Sequence, residues 1–332
     1  MLDGPVTSDM SPRPILAGRR LLLAGVKIAV SGLLIWYILN TNDLDAVSRN
    51  LGEISVDAIF LALLILCLSV AVISLRWMVI LRGIGIRLAF IPALHIVFIG
   101  VFFNQVLPST VGGDAIRTWR LFKAGVALGA GFRSVVLDRV AALAGLVLML
   151  ALSLPFVSIV SADAAASWSL AGLVACAIGG MALLLSFDKI PLPPRYKGSF
   201  SALDALAVDA RRLFFTPSLA APSLSLSVVV QVGSAMTVFI LADGMKIEIG
   251  MLDSLVLVPP VLLLSVLPIS IAGWGVREGA MITALGFVGV ASAEALALSL
   301  VFGLVLLAFS LPGGVLWFIQ SRPVDAREST GA

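Results

Sequence analysis

Two short segments bring together groups that apolar sequence rarely combines: Val106-Leu-Pro-Ser-Thr-Val-Gly-Gly-Asp-Ala-Ile-Arg117 and Val266-Leu-Pro-Ile-Ser-Ile-Ala-Gly-Trp-Gly-Val-Arg-Glu278. Pro108 and Pro268 each close an apolar run, remove a backbone donor and disfavour helix in the residue before them. Gly112 and Gly113, and Gly273 and Gly275, supply the backbone freedom that a broken helix needs. A helix restarting after such a break presents free N–H groups and the positive end of its dipole, which suits an anion such as phosphate. Arg117 and Arg277 lie about one turn further on, where a guanidinium fork can hold a phosphate in two-point contact. Asn104, Asp114, Trp274 and Glu278 are the supporting side chains. This is binding chemistry, and no catalytic residue is assigned. A second reading stays open: Arg117 pairs with Asp114, and Arg277 with Glu278 or Asp253, pinning each segment, or the arginines snorkel to the interface.

These segments sit in a chain of 332 residues that is 60% hydrophobic and 12% charged, with mean hydropathy +1.11. Soluble domains run near 45–50% apolar and about 25% charged. A soluble enzyme, a nucleic-acid-binding domain and a disordered chain are therefore excluded. The net charge of +3 is what Lys and Arg in cytoplasmic loops give a membrane protein, and it implies no nucleic-acid partner. Cys67, Cys176 and a single histidine, His95, cannot build a disulfide framework, a zinc site or a Ser-His-Asp triad. The cysteines read as buried small hydrophobes, His95 as a packed or hydrogen-bonded residue, and no metal or cofactor is expected.

Apolar runs long enough to cross a bilayer lie at 21–39, 56–75, 133–155, 167–187, 219–242 and 292–319. The runs 89–107 and 251–267 end at the two Leu-Pro breaks. If both enter and return on the same side, 17 Lys and Arg fall in the cytoplasm and only Arg49 and Lys246 outside; if both cross, the count becomes 9 inside and 10 outside. The positive-inside rule selects the first arrangement. The expected fold is an all-α polytopic membrane protein with about six transmembrane helices and two re-entrant hairpins. It comprises a polar cytoplasmic tail (1–20), one membrane domain (21–320) and a short cytoplasmic tail (321–332). At an offset of 160, Val106, Leu107, Pro108, Gly113 and Arg117 fall on Val266, Leu267, Pro268, Gly273 and Arg277. This marks an internal repeat with halves near 21–160 and 161–320, each leading into a helix that ends in Leu-Pro at Pro155 or Pro312. The charge count gives the halves opposite sense, an inverted repeat of the kind transporters use.

Other charged positions read more simply. Asp138-Arg139 looks like a structural pair or an interfacial anchor, Lys27 snorkels, and Arg76-Trp77 closes the second span as an interface belt. The stretch 188–217 is a cytoplasmic connection able to lie as an amphipathic helix and attract anionic lipid. Asp43-Leu44-Asp45, in the first external loop, is a minimal paired carboxylate that reads as a solvated acidic loop.

Arg76-Trp77, the run Asn104-Gln-Val-Leu-Pro-Ser-Thr-Val-Gly-Gly-Asp-Ala-Ile-Arg117, the run Leu267-Pro-Ile-Ser-Ile-Ala-Gly-Trp-Gly-Val-Arg-Glu278 and Leu311-Pro-Gly-Gly314 together resemble the flippase-like membrane region of lysylphosphatidylglycerol synthase and its stand-alone relatives. The resemblance runs from about 20 to 320. It implies movement of lipids or lipid-linked precursors between leaflets. The protein is expected to be a non-enzymatic translocator in the cytoplasmic membrane, with both termini cytoplasmic by the charge count. Its substrate would be a membrane phospholipid or a lipid-linked molecule with an anionic headgroup, with a lipid-biosynthesis enzyme as a possible partner. Rocking of one half against the other would expose the site alternately. The synthases carry a large soluble aminoacyl-transfer domain after their helices, whereas about a dozen residues follow the last span here, so synthesis of lysylphosphatidylglycerol is not expected. Two alternatives remain: a membrane glycosyl- or phosphoryl-transferase using a lipid-phosphate donor with Asp43 and Asp45, and a non-catalytic member of a lipid-synthesis complex.

Overall fold

The computed structural model describes residues 29, 32–34, 36–38, 40–41, 43–107, 112–160, 164–186, 189, 194–266 and 273–321. Pro108, Pro268, Lys27 and both terminal tails lie outside the described residues. The described positions between 29 and 41 are almost all helical, and eleven further helices follow, with no strand among the described residues. They fall into two matching series. In the first, α1 (Leu44–Gly52) leads into α2 (Val56–Gly83), α3 (Phe90–Val106), α4 (Gly112–Lys123) and α5 (Leu128–Val160). In the second, α6 (Ala164–Leu185) and α7 (Pro194–Phe215) lead into α8 (Pro217–Gly244), α9 (Met251–Val266), α10 (Val276–Gly286) and α11 (Ser292–Ser321). α2 and α8 both have 28 residues, α3 and α9 have 17 and 16, and α4 and α10 have 12 and 11.

The turns repeat as well as the lengths. After α2 the Ile86 N–H donates to the Leu81 carbonyl at 2.8 Å, and after α8 the Ile247 N–H donates to that of Ala242 at 2.9 Å. After α4 Val126 donates to Leu121 at 3.0 Å, and after α10 Val290 donates to Leu285 at 3.2 Å. Each is a Schellman closure, which needs a residue at positive φ. Gly85 (83°), Gly125 (88°) and Gly289 (83°) fill three of the four places, and Lys246 (58°) the last.

These turns set the register of the repeat. Gly85 to Lys246 is a step of 161 and Gly125 to Gly289 a step of 164. The slip occurs at the break: Gly112 and Gly113 already belong to α4, whereas Gly273-Trp274-Gly275 forms a turn ahead of α10, with Gly273 and Gly275 at φ 81° and 87°. The sequence match of Arg117 with Arg277 therefore does not carry into space. Counted from the shared turn, Arg117 corresponds to Met281, and Arg277 to Gly113.

Among the described residues, four helices are long and apolar enough to cross a membrane: Val56–Gly83, Leu128–Phe156, Pro217–Gly244 and Ser292–Gln320. The apolar stretches Phe90–Val106, Ala171–Leu183 and Met251–Val266 are shorter. Pro155 and Pro312 do not end their helices, because α5 runs on to Val160 and α11 to Ser321. Apolar surroundings and neighbouring helices let a membrane helix tolerate such a proline.

α2 and α8 pack face to face along a stripe of small residues. Gly83 meets Leu219, Gly233 meets Ser69 and Ile65, and Gly244 meets Ala58 and Ser55, so these equivalent helices run antiparallel. The axis relating the halves therefore lies across the helices rather than along them. The remaining pairings cross over: α3 packs on α11, where Phe98 and Phe309 lie 5.2 Å apart, and α9 packs on α5. One apolar core, including Trp77, Leu121, Leu241, Met281, Leu285 and Leu298, runs through both halves.

α7 lies where an amphipathic connection was expected. It buries Leu206, Ala207, Ala210 and Leu213, and holds Arg133 to Asp209 at 2.9 Å. Asp43 caps α1, accepting from the N–H groups of Asp45 and Ala46 at 3.0 and 3.2 Å. Cys67 and Cys176 are exposed rather than buried, as small apolar residues can be on a face turned to lipid.

Candidate functional site

The first break is built by α4 folding back along α3. The Gly113 N–H donates to Oδ1 of Asn104 at 3.0 Å, and a Cβ at Gly113 would collide with the Gly100 carbonyl oxygen. One turn further along each helix, Gly100 faces the Arg117 side chain. Only glycine allows so close an approach. In the second half Ser265 stands against Gly273 where Asn104 stands against Gly113.

Arg117 is brought into the protein rather than to its surface. It is 5% exposed, and its Nη1 lies 2.9 Å from Oδ2 of Asp138, which is 2% exposed. The other carboxylate oxygen takes Nε of Arg76 at 2.8 Å, and Arg76 Nη1 donates to Oγ of Ser227 at 3.2 Å. The Arg117 guanidinium also lies over the Trp77 ring, 4.3 Å from its centroid, while the indole N–H donates to Ser134 at 3.4 Å. Four helices, α2, α4, α5 and α8, thus meet on one buried carboxylate between two arginines. The cluster carries one positive charge in excess. Moreover, Nε and Nη2 of Arg117 are buried with no hydrogen-bond partner. Unfilled charged donors of this kind are expensive to keep and point to a missing acceptor.

The expected Arg117–Asp114 pair does not form. Asp114 instead takes Arg139 of α5 in a two-point contact, with Nε to Oδ2 at 2.9 Å and Nη2 to Oδ1 at 3.0 Å. Asp138 and Arg139 are therefore not a pair with each other: as neighbours on a helix they point about 100° apart, one inward and one outward. Arg76 and Trp77 form no interface belt, because α2 continues past them and both are buried.

The second break is neutral. Arg277 Nη2 lies 2.6 Å from Oε1 of Glu278, its Nε donates to Ser299 at 3.3 Å, and its guanidinium stacks over Trp274 at 4.7 Å. The other Glu278 oxygen accepts the Gly275 N–H and so caps α10. Asp253 is occupied elsewhere, accepting from the Gly250 N–H at 2.7 Å. The described neighbours of Arg117 and Arg277 do not overlap. Sequence reasoning did not join Arg76, Asp138 and Ser227 to Arg117, as the structure does. The available signal was a carboxylate, Asp138, inside an apolar span, which is costly without a partner. His95 hydrogen-bonds with Gln320 at 3.1 Å, and no group of His, Cys, Asp and Glu able to hold a metal occurs among the described residues.

Long apolar helices in two matching series make this a polytopic helical membrane protein. The sequence profile of the lysylphosphatidylglycerol synthase TM region matches residues 25–314, and the chain belongs to that family. It is also similar to the UPF0104 membrane protein PH1989 of Pyrococcus horikoshii, at 28% identity over 123 residues. That match covers 36% of this chain and 35% of the relative.

Proposed function

We infer that this protein carries lipids or lipid-linked precursors between leaflets, with Arg117 receiving a phosphate-bearing headgroup. The observation that carries the reading is the excess charge of the Arg76–Asp138–Arg117 cluster together with the two unpartnered donors of Arg117. A phosphate oxygen satisfies both at once: it neutralises the cluster and fills the open edge of the guanidinium fork. The return of α4 along α3 supports a re-entrant hairpin, and the antiparallel run of α2 and α8 supports an inverted repeat in the membrane plane. In this reading six helices cross, the two breaks stop near the midplane, and both termini face the cytoplasm, as the charge count favours. Arg277, neutralised by Glu278, holds its hairpin together instead of receiving a headgroup.

The test is a leaflet-accessibility assay on protein reconstituted in vesicles with a fluorescent phosphatidylglycerol. Arg117→Gln is expected to slow exchange at least about tenfold, the scale of one charged hydrogen bond, while Asp138 keeps Arg76 and the protein stays folded. Unchanged exchange in a folded Arg117→Gln protein removes the headgroup role.

A further inference from the structure

Among the described residues the Asp114–Arg139 pair differs from the Arg76–Asp138–Arg117 cluster and the Arg277–Glu278 pair in being open at the protein surface. Side-chain exposure is 14% for Asp114 and 47% for Arg139. The pair stands in a groove between α4 and α5 of about 670 Å³, walled by Ala115, Trp119, Leu128, Phe132 and Val136. Arg139 is the twelfth residue of α5, about 9 Å of helix beyond Arg133, whose partner Asp209 lies on α7. In an apolar span an exposed charge needs compensation.

The second half closes the same place. Glu278 occupies in α10 the position of Asp114 in α4, the third residue of each helix. Gly303 occupies in α11 the position of Arg139, and the Arg277 guanidinium fills the space above it. There the pair is 6% and 2% exposed and has its serine and its aromatic cover. Only the first half leaves acid and base side by side at an open apolar wall.

We propose that this groove is a binding site for a phospholipid of the surrounding bilayer whose headgroup carries both a phosphate and an ammonium group, with phosphate on Arg139 and ammonium on Asp114. The two-point contact uses Nε and Nη2 of Arg139, so Nη1 remains outside it, and Oδ2 of Asp114, which accepts only from Nε, keeps a lone pair. A zwitterionic headgroup adds a second, opposed dipole and leaves the groove neutral. A purely anionic headgroup would leave it with an unbalanced negative charge at low dielectric, and a chain alone would leave the ion pair uncovered. The apolar walls take the acyl chain. The site is separate from Arg117 but rests on the same reading, that this chain handles bilayer lipids.

The experiment uses the full chain with Phe132 replaced by photoreactive p-benzoylphenylalanine, reconstituted in vesicles of equal phosphatidylethanolamine and phosphatidylglycerol. Mass spectrometry then identifies the cross-linked lipids. Phosphatidylethanolamine adducts are expected to exceed phosphatidylglycerol adducts about fivefold, the ratio that about 1 kcal/mol gives. Asp114→Asn and Arg139→Gln should each bring the ratio to one. The exchanged variant carrying both Asp114→Arg and Arg139→Asp, which keeps the pair if single changes unfold the protein, should retain the preference. Adducts in the bulk ratio, or an excess of phosphatidylglycerol, overturn the proposal. Because Arg117→Gln leaves the groove intact, the preference should persist in that variant. A lost preference with an Arg117-dependent exchange rate defeats this site alone, and the converse defeats only the transport reading.

Discussion

The two halves share a backbone plan and differ in what they bury. At the places where the first half holds Arg76, Trp77, Arg117, Ser134 and Asp138, the second holds Thr237, Val238, Met281, Leu298 and Phe302, all deeply buried. One half has a charged centre and an open ion pair; the other has an apolar centre and a sealed pair. The frame is thus shared, through its turns and helix lengths, while the buried chemistry is not. A buried ionic cluster is seldom retained for stability, since apolar side chains of similar size fill such a space at least as well. The second half fills the equivalent space with apolar side chains and shows that the frame does not need the charges.

The comparison can be broken most sharply at its two carboxylates. Asp138 separates two buried arginines, so Asp138→Asn should cost about 3–5 kcal/mol, read as a large fall in the thermal midpoint of the detergent-solubilised protein. Glu278→Gln, which frees one arginine and can still accept the Gly275 N–H, should cost clearly less. Equal losses would mean that the two centres are energetically alike. Next come the two tight glycines. Gly113→Ala meets the Gly100 carbonyl, which belongs to a packed helix, and should cost about 1–3 kcal/mol. Gly303→Ala meets only the end of the Arg277 side chain and should be milder. The reverse order would show that Arg277 is held more rigidly than the α3–α4 contact. Smallest is the turn at Lys246. Gly85 fills the equivalent place, so Lys246→Gly should stabilise by about 1 kcal/mol by removing left-handed strain. The exposed partner it gives up, Glu53 at 3.8 Å, contributes little. A lower thermal midpoint would mean that the side chain, rather than the backbone, sets that turn.

Much of the frame was legible in the sequence because breaks and spans are local signals. The Leu-Pro ends of α3 and α9 and the apolar runs of α2, α5, α8 and α11 could all be read from neighbouring residues. The partnerships could not. Arg76 and Asp138 are 62 positions apart and meet only because α2 packs beside α5. Asp138 and Arg139 look like a couple in the sequence, yet helical geometry sends them to different partners. The alignment of Arg117 with Arg277 failed for another reason: an extra turn at Gly273–Gly275 shifts everything after it, and a constant offset cannot register such a shift. Pro155 and Pro312 misled because their helices continue through them, stabilised by surroundings that a single residue does not reveal.

The packing of α3 on α11 and of α9 on α5 ties the two halves together. One arm of each hairpin lies on the long helix of the other half, while α4 and α10 stay on the long helix of their own. A half on its own would leave one arm of its hairpin and one side of its long helix without partners, and only a second copy running the opposite way could complete the same contacts. The other half supplies them within one chain, so the two cannot be parted without uncovering apolar surface on both.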